Sequence, residues 1–179
     1  VSLIFEAYGR PPSDEFLKAF SKTFRKEHSA ITLSPETSDE SLRRFYKGSA
    51  AMSNHDVEKT LEQCAALGIN TEIYFALLPK QGLRGLKKTH KWAAGLAEKH
   101  GCGLVFMPVE IEPGAPWHLN PVKYGIELQC VTFEDFLMRS ASRDFSRPPR
   151  SPGYVFPEFE VQMEYIREKG LAAQDYVEF

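Results

Sequence analysis

Along the chain, short apolar segments alternate with longer stretches in which apolar residues recur at helical spacing. Val1 to Tyr8 reads as a buried strand, closed by the turn Gly9-Arg10-Pro11-Pro12. Ser13 is placed to cap a helix, with Asp14 and Glu15 in its first turn and Phe16, Leu17, Phe20 and Phe24 on one side, running to about His28. Ser29 to Leu33 repeats the strand pattern and breaks at Ser34-Pro35-Glu36-Thr37-Ser38. Ser38, Asp39 and Glu40 open a helix that Gly48 ends; Ser53 caps another, with Val57, Leu61, Cys64 and Leu67 apolar and Gly68 at its close. Thr71 to Leu78 is a third strand stopped by Pro79, Leu83 to His100 a long helix closed by Gly101, and Leu104 to Glu110 a fourth strand whose Pro108 marks an early end, an edge or a bulge.

Strands with near-continuous apolar runs, each followed by a helix, define an α/β fold with a parallel sheet. Four such strands make half of a TIM-like barrel or a small open sheet. After the proline-rich loop Ile111 to Pro121 the pattern changes. Phe133 to Met138 and Glu158 to Lys169 read as helical, with the basic, proline-rich Arg147 to Pro157 between them. The expected division is residues 1–130 for the half barrel and 131–179 for a C-terminal extension.

Composition adds mostly exclusions. With 179 residues the chain can bury roughly 70% of its unfolded surface around one core. The 22 Lys and Arg nearly balance 24 Asp and Glu, which gives no electrostatic reason to expect nucleic acid or an anionic membrane as partner. No apolar run is long enough to span a bilayer, so a cytoplasmic protein is expected. The chain opens on Val1 rather than methionine, the expectation being that it is part of something larger. Cys64, Cys102 and Cys130 are odd in number and far apart, which suits reduced buried thiols, and the five histidines form no metal-binding pair.

In parallel α/β folds the site lies at the carboxyl ends of the strands, which selects Glu6 to Arg10, Ser34 to Thr37, Leu78 to Gly82 and Glu110 to Trp117. Glu36 there is either a ligand-binding carboxylate or a first-turn acid favouring a helix dipole. Arg43 and Arg44 are either a bidentate carboxylate site or partners for Asp39 and Glu40. Pro79-Lys80-Gln81-Gly82 is a ligand turn or an ordinary βα turn, and Trp117 a stacking platform or a core edge. Phosphate-binding, nucleophile-elbow and dinucleotide motifs are absent.

Three blocks carry a resemblance. LSPETSDESLRRFYKG (Leu33 to Gly48), CAALGINTEIYFALLPKQG (Cys64 to Gly82) and MPVEIEPGAPWHLNPVKYGI (Met107 to Ile126), in that order, resemble the later strands of radical S-adenosylmethionine enzymes, particularly the cobalamin-associated branch. The resemblance implies half of a partial (β/α)6 barrel, in which Glu36 contacts adenosylmethionine, Arg43 or Arg44 meets its methionyl carboxylate, and Phe75 to Leu78 with Gln81 line the adenosine side. It implies adenosylmethionine and a [4Fe-4S] cluster as cofactors of the parent enzyme, with cobalamin as a candidate third, and reductive cleavage to a 5′-deoxyadenosyl radical. Leu78 and Lys80 depart from the family's glycines at that turn, and no Cys-x3-Cys-x2-Cys is present. This chain alone is therefore expected to bind no cofactor and to be inactive, with the missing N-terminal half as its partner or a second copy joined through open sheet edges. The alternatives are a degenerate, non-catalytic half barrel serving protein association, and an unrelated α/β enzyme whose acid is Glu36 or Glu110. The catalytic residues are not assigned by the sequence, and no residue is read as a metal ligand.

Overall fold

A computed structural model describes residues 1–141 and 153–171. Of the basic segment Arg147 to Pro157, the part before residue 153 lies outside the described residues. Four strands, β1 (Ile4–Ala7), β2 (Ala30–Glu36), β3 (Asn70–Leu77) and β4 (Gly103–Pro108), form one parallel sheet in the order β1-β2-β3-β4. Between them come α1 (Asp14–Thr23), then α2 (Glu40–Lys47) with α3 (Asn54–Ala66), then α4 (Gly82–His100). Strand order that follows chain order has a consequence. Right-handed crossovers then put every connection on the same side of the sheet, as in a barrel, whereas a doubly wound sheet must reverse its order somewhere. The half-barrel expectation holds.

Local chemistry sets the element ends. Ser13 caps α1 by accepting from the Phe16 amide, Asp39 caps α2 through the Ser41 and Leu42 amides, and Ser53 with Asp56 forms a capping box on α3. α1 stops at Thr23, five residues before the expected end, and a separate 3-10 turn covers Lys26–His28. β2 runs on through Ser34 and Pro35 to Glu36, where a break was expected. Its ladder to β3 slips there: Leu33 pairs with Ile73, but Glu36 pairs with Phe75, so the extra β2 residue is accommodated as a bulge. Proline has no N–H to give the ladder and suits such a bulge.

The chain divides into two compact units, residues 1–75 with 85–105, and residues 76–84 with 106–179. In the first, Ile31, Leu33, Ile73, Leu17, Val57, Leu61, Cys64, Leu86 and Ala93 are fully buried, and Phe5 of β1 meets Phe16 of α1 at 4.5 Å between ring centres. Those strand residues belong to one side of the sheet. In the second, α5 (Pro116–Leu119), α6 (Pro121–Tyr124), the hairpin of β5 (Glu127–Leu128) and β6 (Tyr154–Val155), α7 (Phe133–Ala141) and α8 (Phe159–Glu168) follow β4. Trp117 stacks on Tyr124 at 5.6 Å and meets Tyr154 edge-on at 5.5 Å, so this indole is part of an aromatic cluster.

Candidate functional site

The other side of the sheet is polar. Register pairs Glu6 with Thr32 and Thr32 with Glu72, and Ser34 and Tyr74 follow two residues on, so period two gives all five one face while Ala7, Leu33 and Ile73 take the other. A solvated antiparallel sheet could alternate in this way without consequence. In a parallel sheet whose crossovers cover the apolar side, it leaves a charged face above which a ligand can sit.

Glu36 ends β2 with φ 67°, a left-handed conformation that a glutamate adopts at a cost of order 1 kcal/mol or more. The Thr37 amide donates to the Pro35 carbonyl at 2.8 Å, two residues back, so Glu36 is the central residue of a γ-turn. Arg43 explains why the turn persists. Its Nε donates to the Pro35 carbonyl at 2.8 Å and its Nη2 to the Thr37 carbonyl, so one guanidinium grips both sides of Glu36. Nη1 donates to the Met52 carbonyl at 2.6 Å, Nη2 also reaches Asn54 Oδ1 at 2.7 Å, and the group lies 5.8 Å from the centre of the Trp92 ring. Fully buried, Arg43 is pushed down to about 10 by desolvation. Thr37 and Ser38 are tied in turn to Thr89 of α4 at 3.1 Å.

Lys47 neutralises the Glu36 carboxylate at 2.7 Å. Its ammonium also donates to the Tyr8 carbonyl at 2.5 Å and to the Ser34 carbonyl, and it sits 3.7 Å from the centre of the Tyr8 ring. Burial pushes Glu36 above the usual carboxylate range, against the opposing pull of Lys47, and pushes Lys47 below its ordinary value. Tyr8 is raised by its own burial and then by the charges of Glu36 and Glu6.

Glu36 and Arg43 are thus brought together as turn and clamp. Arg44, one residue on, faces away with a side chain 59% exposed, 3.7 Å from Glu40. Phe75 is buried against Trp92 at 5.9 Å, and Leu78 is buried, so both are packing residues here. Leu78 and Gln81 belong to the second unit, where the Gln81 amide closes a tight turn onto the Leu78 carbonyl at 3.0 Å. Sequence reasoning placed Ser34 in the candidate region but missed Lys47, Thr32, Glu72 and Tyr74. The signal for the last three was the period-two alternation within apolar strands; Lys47 was not marked because its partners lie up to 39 residues away.

The three cysteines do not fit a cluster. Cys64 is buried on α3 with its thiol pushed up to about 12, Cys102 is buried ahead of β4 and Cys130 buried after β5. No group of three or more metal-ligating side chains exists among the described residues. No helix among them is long and apolar enough to cross a membrane.

These features define a singly wound parallel β/α sheet with a strained, charge-paired turn at one strand end and a polar face beside it. No family model matches the chain, and no curated protein sequence does. Among solved structures, the radical S-adenosylmethionine methyltransferase TsrM from Kitasatospora setae, determined with tryptophan substrate and the analogue aza-SAM bound, is similar with 14% identity and a TM-score of 0.49. The similarity covers 62% of this chain and 20% of that one.

Proposed function

We propose that this chain carries the later strands of a radical S-adenosylmethionine barrel and that Glu36 is its contact to adenosylmethionine. The observation that carries the reading is the γ-turn: a carboxylate at a strand end, held in a strained conformation by a buried arginine that donates to the carbonyls on both sides of it. Strain of this kind persists where the surroundings over-determine it, and it concentrates at ligand sites. The three sequence blocks support the same reading, and so does the polar face beside the turn.

Adenosylmethionine fits these residues. Its ammonium and ribose hydroxyls are donors, and Glu36 is an acceptor whose charge Lys47 balances. Arg43 is a positioning residue, since its donors are spent on backbone carbonyls and Asn54. Arg44, paired with Glu40 on the exposed side of α2, stays outside this contact. By the family resemblance, Phe75 to Leu78 and Gln81 are assigned to the adenosine side. When bound, adenosylmethionine supplies the radical precursor; the [4Fe-4S] cluster needs thiolates that this chain's cysteines do not provide, and cobalamin has no assigned residue. On this reading the missing half pairs with β1, an edge strand whose Ile4 is 71% exposed.

The test is adenosylmethionine affinity of the cluster-reconstituted full-length protein, prepared without oxygen. Glu36→Ala should weaken binding tenfold or more, and Glu15→Ala, an exposed first-turn acid on α1, should leave it unchanged. Equal affinity in the two variants would remove Glu36 from the site and the reading with it.

A further inference from the structure

Beside the Glu36 turn, the polar face holds two more carboxylates, neither of them in an ion pair with Lys47. Glu6 and Glu72 flank Thr32 in register on neighbouring strands, about 10 Å apart by the spacing of two ladder steps. Neither forms an ion pair among the described residues. Ser34 Oγ donates to Glu6 Oε1 at 2.5 Å, and Tyr74 stands two residues beyond Glu72 on the same face of β3.

Two acids alone would be a solvated surface. Thr32 between them is different: it is 1% exposed, and its hydroxyl has no hydrogen-bond partner among the described residues. A buried hydroxyl left unpaired is unusual in a folded protein and points to a partner that is absent.

We propose that Glu6, Thr32 and Glu72 form the substrate subsite of this domain and that the substrate carries an alkylammonium or guanidinium group. The proposal rests on the adenosylmethionine reading of the Glu36 turn, which leaves these three residues for the second ligand. The carboxylates accept from the cation, and the Thr32 hydroxyl gains the partner it lacks. A neutral or anionic substrate would meet two carboxylates that form no ion pair among the described residues.

The probe is putrescine, titrated calorimetrically into the 179-residue chain, with 1,4-butanediol as its uncharged counterpart. Putrescine should bind and butanediol should not. Glu6→Gln and Glu72→Gln should each weaken putrescine at least fivefold, and Thr32→Val should weaken it two- to threefold. Both acids are solvent-accessible, so the glutamine variants are expected to fold, which melting temperatures check. Equal response to the diamine and the diol, or putrescine affinity untouched by both glutamine variants, overturns the subsite. Glu36→Ala provides the separation: weaker putrescine binding in Glu6→Gln and Glu72→Gln with unchanged adenosylmethionine affinity in Glu36→Ala would sink the cofactor reading alone, and the reverse pattern would sink the subsite alone.

Discussion

The ends of β2 and β3 were both candidate regions in the sequence, and the folded chain treats them oppositely. After β2, the backbone is bent into a costly turn that holds Glu36, and its charge is balanced by a lysine from the next helix. After β3, the corresponding polar group is the protein's own. Glu158, itself at φ 68°, sends its carboxylate to the Leu83 amide at 2.7 Å and caps the start of α4. A Cβ on Gly82 would stand only 3.3 Å from that carboxylate. One strand end is wired to present a carboxylate; the other has its helix donor already satisfied. Two βα turns of similar composition can thus differ in whether their polar groups are available.

The comparison breaks first at Arg43. Arg43→Ala should cost about 3–5 kcal/mol, because it strips three carbonyls and Asn54 of their buried partner and frees the γ-turn. Chemical denaturation measures this, and a cost below 1 kcal/mol would mean the turn does not depend on its clamp. Lys47→Met should come next at about 3 kcal/mol, since it leaves the Glu36 carboxylate buried without its counter-charge. The double variant with Glu36→Gln should recover much of that loss, and purely additive costs would deny the coupling. Glu158→Ala should cost only about 1 kcal/mol, the ordinary worth of a helix cap at an exposed position. A larger loss than for Lys47→Met would reverse the ranking of the two strand ends.

The smallest effect concerns pH. Ser53 hydrogen bonds hold the Asp56 carboxyl below its usual range in the α3 capping box. A depressed folded-state value means that the stabilisation is complete above the unfolded value, roughly pH 4, and fades as pH falls through the folded one. Asp56→Asn should therefore cost about 0.5–1 kcal/mol at pH 7 and almost nothing at pH 2. Melting curves across that range decide it. Because Asn54 at the start of α3 also receives Arg43, the same change should slightly loosen the clamp.

Much of the fold was legible because punctuation residues fix element ends. Ser13, Ser53, Gly48, Gly68 and Gly101 all stand where caps and reversals occur. The extension of β2 was not legible, because a serine-proline pair reads as a break and only the pairing with Phe75 shows the bulge. Glu36 was found from its place after an apolar run. The clamp role of Arg43 is not legible in the sequence because its acceptors are mostly backbone carbonyls, which every residue has and no sequence displays. The polar face was hidden in plain alternation: Glu6, Thr32 and Glu72 each interrupt an apolar run once, and their alignment exists only across strands.

Sequential strand order also bears on how the chain acquires its structure. Ile4 pairs with Ala30 and Ala30 with Asn70, so each strand joins one already formed by closing a loop of 26 and then 40 residues. Loop-closure entropy grows with the logarithm of length, so the second closure costs only about 0.4 kcal/mol more than the first. No step has to wait for the far end of the chain. Such a sheet can grow strand by strand in the direction of synthesis, each nascent βα element docking on its predecessor as it emerges.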